Sequence, residues 1–332
     1  METITLEPMA INVADIAQAA GRIQGQAAKT PLVESAALNR EKSARILIKP
    51  ECLQRSGSFK FRGAYNRIAQ LTPEERAAGV VAWSSGNHAQ GIAAAAQILG
   101  VPATIVMPHD APAVKADKTR SYGAEVVGYD RYMESREEIG AQLAKERGAV
   151  LVPSFDDPHI IAGQGTCGLE FVRQAEDLNA QLDILLVCCG GGGLIAGTSL
   201  AFAELSPATK VYSVEPAEFD DHARSLKSGQ REENPKGARS ICDALLAPQP
   251  GELTFSINRR TLAGGLSVTD EQVKAAMRYA FSTLKLVTEP GGCVALAAVL
   301  SGMIDVQGKT VGVVISGGNV EPSMFADIIN VV

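Results

Sequence analysis

The 332-residue chain has no basic excess: 31 Lys and Arg stand against 37 Asp and Glu, a net charge of −6. It therefore carries no positive field to neutralise nucleic-acid phosphates or anionic lipid. It has no long hydrophobic run either. Its most apolar stretches, such as DILLVCCGGGGLIAG (183–197), are short and broken by glycine, where a membrane span needs about 18 or more residues. The first twenty residues, METITLEPMAINVADIAQAA, lack the basic and apolar regions of a secretory signal. The six cysteines show no C-x-x-C spacing and no sequence-near histidine in the manner of a zinc site. They read as buried small hydrophobes in a reduced, cytoplasmic, soluble protein. No internal repeat or low-complexity block appears. What is present, 46% hydrophobic and 20% charged residues with 32 Gly and 16 Pro, is the composition of a compact globular chain long enough for two domains or one large one.

Short apolar runs alternate with amphipathic ones over almost the whole length. The runs at 44–50, 79–85, 102–108, 124–130, 149–155, 183–189, 210–216 and 309–316 read as buried strands bounded by turn residues. Helices are expected over 58–70, 87–99, 132–147, 161–176, 193–205, 270–286 and 291–302. Such alternation means parallel sheet covered by helices on both faces, as a closed barrel or as open doubly wound sheets. The four closely spaced strands within 79–155 form a small unit complete in themselves, which favours two open sheets with a cleft between them. The polar stretch 227–239, KSGQREENPKGAR, reads as an exposed loop.

Four clusters carry chemistry. In SGSFKFRGA (56–64), Ser58 is expected to cap a helix and to leave Lys60 in its first turn, between two phenylalanines. An ammonium gains nothing from the dipole there, so its pKa should fall. A lysine that must be a neutral amine to form a Schiff base benefits from that setting, although a solvated helix lysine is the plainer reading. Residues 190–193 are four consecutive glycines between strand and helix. Backbone N–H groups and a helix N-terminus there suit a phosphate, and the pattern is neither a nucleotide-triphosphate loop nor G-x-G-x-x-G.

SSGNH (84–88) follows a strand end and opens a helix, placing several donors where a carboxylate or phenolic oxygen could sit. Capping alone would explain Ser85 or Asn87, and His88 reads equally as a structural or a catalytic histidine. SGGN (316–319) ends the last apolar run. The Ser316 hydroxyl could hydrogen-bond a heterocyclic nitrogen without forcing its protonation, and a simple turn explains it nearly as well.

Together with IAGQGT (161–166), CGGGGLIAG and EPGGCVALAA (289–298), these motifs resemble the fold-type II pyridoxal phosphate enzymes, within them the threonine/serine dehydratase and serine racemase group. The resemblance implies a large cofactor-binding domain of residues 1–77 and 156–332, a small mobile domain of 78–155, an active site in the cleft between them, and a homodimer. By the same resemblance Lys60 would hold pyridoxal 5′-phosphate as a Schiff base. Residues Gly190, Gly191, Gly192 and Gly193 with Leu194 would bind its phosphate, and Asn87 its phenolic oxygen. Phe59 would pack near the ring, and Ser316 would face the pyridine nitrogen. Ser84, Ser85, Asn87 and His88 would hold the substrate carboxylate.

A serine at that nitrogen, in place of Asp or Arg, makes the ring a weaker electron sink and favours prompt loss of a β-substituent. The implied reaction is removal of the Cα proton by the Lys60 amine, expulsion of a β-hydroxyl with a proton from the cofactor phosphate, and hydrolysis to a 2-keto acid and ammonia. L-threonine, L-serine or a 3-substituted serine is the expected substrate, threo-3-hydroxyaspartate and phenylserine being relatives. Ser85 also stands where serine racemases carry a hydroxyl on the face opposite the lysine, so racemisation is the first rival. A β-replacement synthase and a non-catalytic, cofactor-binding regulator are further ones. EPAEFDD (215–221) looks like that group's cation site, with Glu215 and Asp221 side chains and the Phe219 carbonyl as oxygen ligands for Mg²⁺ or Ca²⁺; an acidic, solvated turn is the plainer reading.

The chain departs from the pattern in two places. Pro153-Ser154 stand where His-Pro is usual, which leaves substrate preference open, and Cys188-Cys189 replace Pro-Val before the glycine loop. The chain ends soon after SGGN, so the C-terminal regulatory domain of the long dehydratases, with its feedback control, is expected to be missing.

Overall fold

The computed structural model describes residues 9–111 and 113–330; the first eight residues of the segment read as free of a secretory signal lie outside them. Ten strands occur among the described residues: β1 (Val33–Glu34), β2 (Arg45–Pro50), β3 (Val80–Trp83), β4 (Ala103–Pro108), β5 (Glu125–Tyr129), β6 (Val150–Leu151), β7 (Ile184–Cys188), β8 (Lys210–Pro216), β9 (Gly264–Val268) and β10 (Thr310–Ile315). They form two open sheets, one ordered β1-β2-β10-β7-β8-β9 and one ordered β5-β4-β3-β6. Only β1 runs antiparallel to its neighbour; the other pairings are parallel. Helices cover the sheets, so the fold is the α/β pair of open doubly wound sheets favoured by the spacing of the 79–155 strands, and not the closed barrel that the alternation equally allowed.

The eight apolar runs each contain a strand. The run at 149–155 forms only the two residues of β6, because Pro153 has no N–H to continue a ladder, and the chain turns there and carries Ser154 toward the cleft. Two strands lie outside the runs: β1 is two residues long, and β9 begins with two glycines, which give no strand signal. The expected helix 270–286 divides into Asp270–Tyr279 and a π-turn, Ala280–Leu284. The stretch beyond Ser228 is irregular and mostly exposed through residue 239.

The larger core packs Leu47, Leu186, Val187, Val313 and Leu296 between sheet and helices. The smaller core gathers Val80, Ile105, Ile92 and Ala93 with Phe61, Ala64 and Ile68. The helix Lys60–Ile68, grouped by sequence with the larger unit, thus buries one face against the smaller sheet's layer. The longest helix, Pro158–Asp177, starts where the Asp157 carboxylate accepts from the N–H groups of His159 and Ile160 at 2.8 and 2.9 Å. It meets the helix Gly193–Leu205 at Gly165 and Gly197, where a Cβ on Gly197 would sit 2.6 Å from the Gly165 Cα. Bare backbones let these two helices touch, and this seats the start of Gly193–Leu205 under the cleft.

Candidate active site

The cleft encloses about 450 Å³ and is lined by the ends of strands from both sheets, including Phe59, Lys60, residues 84–88, Ser154, residues 188–194, Glu289 and Ser316. Ligands in open parallel sheets sit at the carboxyl ends of the strands, and the lysine, glycine-loop, SSGNH and SGGN clusters all border this one space, while EPAEFDD does not.

Lys60 is the first residue of its helix, but Ser58 is not the cap. Phe59 takes that position with no side-chain hydrogen bond, while Ser58 is extended and forms a bridge with Gly317, its buried hydroxyl lacking a partner. That bridge, with the Phe59 N–H donating to the Ser316 carbonyl at 3.1 Å, ties the lysine turn to the end of β10. The Lys60 ammonium donates to the Ser154 carbonyl at 2.7 Å and stands 5.2 Å from the Phe59 ring centroid. Burial draws its pKa down to about 8, against the opposing influence of Cys188 and Glu289. An amine in that range is partly neutral near neutral pH, as Schiff-base formation requires.

The glycine loop opens the helix Gly193–Leu205, whose first turn no side chain caps, so its leading N–H groups are free for an anion. Gly192 has φ +95°, a region closed to most L-residues, and its missing Cβ would lie 2.7 Å from the His222 ring. Pyridoxal phosphate fits this arrangement: a bare, uncapped helix start suits its phosphate, and a depressed amine on the same cleft suits its aldehyde.

The opposite wall is the start of the helix Asn87–Leu99, again without a side-chain cap. The Ser84 hydroxyl accepts from the Gly86 N–H at 3.1 Å. The Asn87 amide donates to the Glu289 carboxyl and accepts from Asn319 Nδ2 at 2.7 Å. His88 is buried with Nε2 2.9 Å from the Val152 carbonyl, and burial, with the nearby Lys60 charge, pushes its pKa down to about 3. It is a neutral imidazole donating to a backbone oxygen, and it borders the cleft. Ser85 and Ser316 both line the cleft, Ser316 at the tip of β10 within hydrogen-bond reach of the Cys188 thiol.

Sequence reasoning gave no role to Glu289, Asn319, Lys115 or Arg136. Glu289 is buried, its pKa raised to about 7 by burial and by Asp243, against the pull of the Asn87 hydrogen bond. Its signal was already in the EPGG motif, an acid directly before a Pro-led helix start. Arg136 and Lys115 reach the cleft from the smaller unit; Lys115 bonds Asp243 at 2.5 Å, and Arg136 pairs at 2.8 Å with Glu137, which also lines the cleft.

Glu215, Phe219 and Asp221 lie behind the glycine loop, at the end of β8. Both Glu215 carboxylate oxygens accept backbone N–H groups, from His222 at 3.0 Å and Ala223 at 2.8 Å. Burial and the Asp221 charge hold its pKa well above the carboxylate range.

The chain resembles known proteins over nearly its whole length. A family model described as pyridoxal-phosphate dependent enzyme matches residues 23–317. An L-threo-3-hydroxyaspartate ammonia-lyase of Pseudomonas sp is 44% identical over 95% of this chain and 97% of its own. A serine racemase of Schizosaccharomyces pombe is 39% identical over 95% of this chain and 96% of its own. The crystal structure of a T.th. threonine deaminase superposes with a TM-score of 0.88 at 42% identity, covering 93% of this chain and 99% of that one. The matched residues span both sheets and the cleft between them, and the chain belongs to the pyridoxal-phosphate dependent enzyme family.

Proposed function

We propose that the protein is an ammonia-lyase that eliminates water from a β-hydroxy amino acid and releases a 2-keto acid and ammonia. The observation that carries this is the half-buried, pKa-lowered Lys60 amine on the same cleft as the uncapped glycine-loop helix. Pyridoxal phosphate, when bound, supplies the conjugated ring that takes up the electron pair of the breaking Cα–H bond. Residues 190–194 would hold its phosphate, with Phe59 beside the ring and Ser316 as the partner for its nitrogen.

The chain's own groups do the rest. The free N–H groups at the start of Asn87–Leu99, that of His88 among them, orient the substrate carboxylate together with the Ser84, Ser85 and Asn87 side chains, so that the Cα–H bond faces Lys60, while the neutral His88 ring, bonded to the Val152 carbonyl, supports the wall. The Lys60 amine takes the Cα proton, and the β-hydroxyl leaves as water after gaining one. The enamine product then takes up a proton at carbon, and the resulting imine consumes one water in hydrolysis to keto acid and ammonia. Glu289, held by Asn87, keeps the Asn87 amide aimed into the cleft.

Among β-hydroxy amino acids, we infer a preference for one with a second carboxylate, threo-3-hydroxyaspartate. What supports it is Arg136 on the cleft wall, a bidentate partner for a carboxylate, together with the 44% identity to a hydroxyaspartate ammonia-lyase. Ser85, on the same wall, makes serine racemisation the second reading. The small unit of 78–155 closing on the rest of the chain, a homodimer and a cytoplasmic location complete the proposal.

The test is keto acid and ammonia released from L-serine, L-threonine, threo-3-hydroxyaspartate and phenylserine, with D-serine measured alongside. Turnover abolished by Lys60→Ala, with Arg136→Gln raising KM for hydroxyaspartate at least about tenfold more than for serine, is the expected result. No product from any of the four with cofactor supplied would sink the lyase reading in favour of a racemase, a synthase or a cofactor-binding regulator.

A further inference from the structure

Behind the glycine loop the chain buries an unusual set of donors. The Cys189 thiol, the Glu215 carboxylate and the His222 imidazole each place a ligand atom within 4.8 Å of the others, and all three residues are buried. His222 Nδ1 lies 3.8 Å from Glu215 Oε1 and 3.8 Å from Asp221 Oδ2. That is too long for a hydrogen bond. It is also only slightly wider than the roughly 3.3–3.6 Å that separates nitrogen, oxygen and sulfur ligands of one tetrahedral Zn²⁺ at its usual bond lengths.

Two further observations point into the same spot. Asp221 Oδ2 and His222 Nδ1 are both buried and both lack a hydrogen-bond partner, on residues 1% and 0% exposed. Buried polar atoms are rarely left so, and each one needs an explanation. The remaining acceptor sites are already taken: Asn234 donates to Asp221 Oδ1 at 2.6 Å, and Arg224 is engaged with Asp220 at 2.7 Å.

We propose that Cys189, Glu215 and His222 form a mixed sulfur, nitrogen and oxygen site for a thiophilic divalent cation of the Zn²⁺ class, with Asp221, whose Oδ2 lies 3.8 Å from His222 Nδ1 outside that three-residue cluster, turning in as fourth ligand. This differs from the oxygen-only Mg²⁺ or Ca²⁺ site of Glu215, the Phe219 carbonyl and Asp221 expected from the sequence. Thiolate and imidazole select zinc-like ions, whereas Mg²⁺ and Ca²⁺ take oxygen. The surroundings are consistent with Nδ1 ligation. Asn258 lies 3.0 Å from His222 Nε2, and its own Oδ1 is buried without a partner. Turned over, that amide accepts from an Nε2–H, the tautomer that leaves the Nδ1 lone pair for a metal. Because the His222 ring also abuts Gly192, an ion here braces the loop from behind.

The site stands independently of the substrate reading, and its test is separate from turnover. Chelator-stripped full-length protein is titrated with Zn²⁺, Mg²⁺ and Ca²⁺ by calorimetry and loaded with Co²⁺ for absorption spectroscopy. We expect one Zn²⁺ per chain, bound at least about 100-fold more tightly than Mg²⁺ or Ca²⁺, and a thiolate-to-cobalt charge-transfer band in the near ultraviolet. Cys189→Ser, which keeps the side chain's size, should abolish that band, and His222→Gln should weaken Zn²⁺ by about 100-fold. Mg²⁺ or Ca²⁺ binding as tightly as Zn²⁺, a cobalt complex without the thiolate band, or Zn²⁺ affinity unmoved in both variants would each overturn the proposal. Retained circular dichroism and cofactor absorbance in the variants exclude misfolding as the cause of a loss.

Discussion

Around Arg62 the chain buries charges of both signs together; around Glu215 it buries two carboxylates with an imidazole and a thiol, and neither carboxylate is hydrogen-bonded by a lysine or arginine among the described residues. In the first cluster Arg62 contacts Glu51 at 2.7 Å and Glu170 at 2.8 Å, and Lys49 contacts Glu170 at 2.9 Å. Thr30, Thr166 and Gln174 fill the remaining directions. In the second, Asp221 Oδ2 and His222 Nδ1 make no hydrogen bond, although the Gly190 carbonyl lies near the imidazole. The same physics explains both: a buried charge costs several kcal/mol unless paired and hydrogen-bonded. Where every direction is filled the cluster is scaffold, and it fastens the helix that carries Lys60. Where directions are left open, the cluster is waiting for a ligand.

The largest expected effect breaks the satisfied cluster. Arg62→Met should cost about 3–5 kcal/mol, since it leaves Glu51 buried beside Glu170 without its partner. Urea denaturation of the two proteins measures this, and a loss under about 1 kcal/mol would mean that completeness of pairing is not what distinguishes the clusters. Glu51 agrees in direction: despite full burial its pKa is lowered, the Arg62 charge and hydrogen bonds outweighing desolvation.

Glu289, a buried acid with a neutral partner, offers a second contrast. Its folded pKa is about 7 against an ordinary 4.5, so in the folded state it holds a proton that the unfolded chain has already released. Stability from this group is therefore full below about pH 4.5 and is lost as pH rises through 7. Relative to Glu289→Gln, cofactor-free wild type should lose on the order of 3 kcal/mol across that window. Parallel melting curves for the two proteins from pH 5 to 8 would show instead that the carboxyl is solvated when the cleft is open.

The sequence made the strand-bearing runs legible because parallel strands buried on both faces are continuous apolar segments. Lys60, the glycine loop and Ser316 were legible because each sits at a strand end or helix start, where chemistry concentrates. The edge strand β9 was hidden by its glycines. Ser58 was misread as a cap because a serine before a helix looks the same whether it caps or, as here, pairs with Gly317 in a bridge that only the fold creates. The Arg62 cluster was invisible, since Glu170 is 108 residues from Arg62 along the chain and no local pattern announces the pair. Glu289 stood in a motif already quoted, but its burial, and hence its raised pKa, comes from the packing of Pro290–Leu300 beneath the cleft.

The smallest effect is the most discriminating. Asp221→Asn removes the buried charge that faces the protonated Glu215 carboxyl while keeping a carbonyl oxygen for Asn234. In metal-free protein the variant should match the wild type or exceed it by about 1 kcal/mol, the reverse of the Arg62 result, because the desolvation cost of an unpaired buried carboxylate disappears with its charge. Adding Zn²⁺ at about 100 times its dissociation constant should raise wild-type stability by about 2.7 kcal/mol through binding to the folded state alone, and should raise the variant less. The order of the two melting temperatures then inverts on metal addition. An Asp221→Asn protein that is already several kcal/mol weaker without metal would show that this carboxylate, like those around Arg62, is part of the scaffold, and the contrast between the two clusters would collapse.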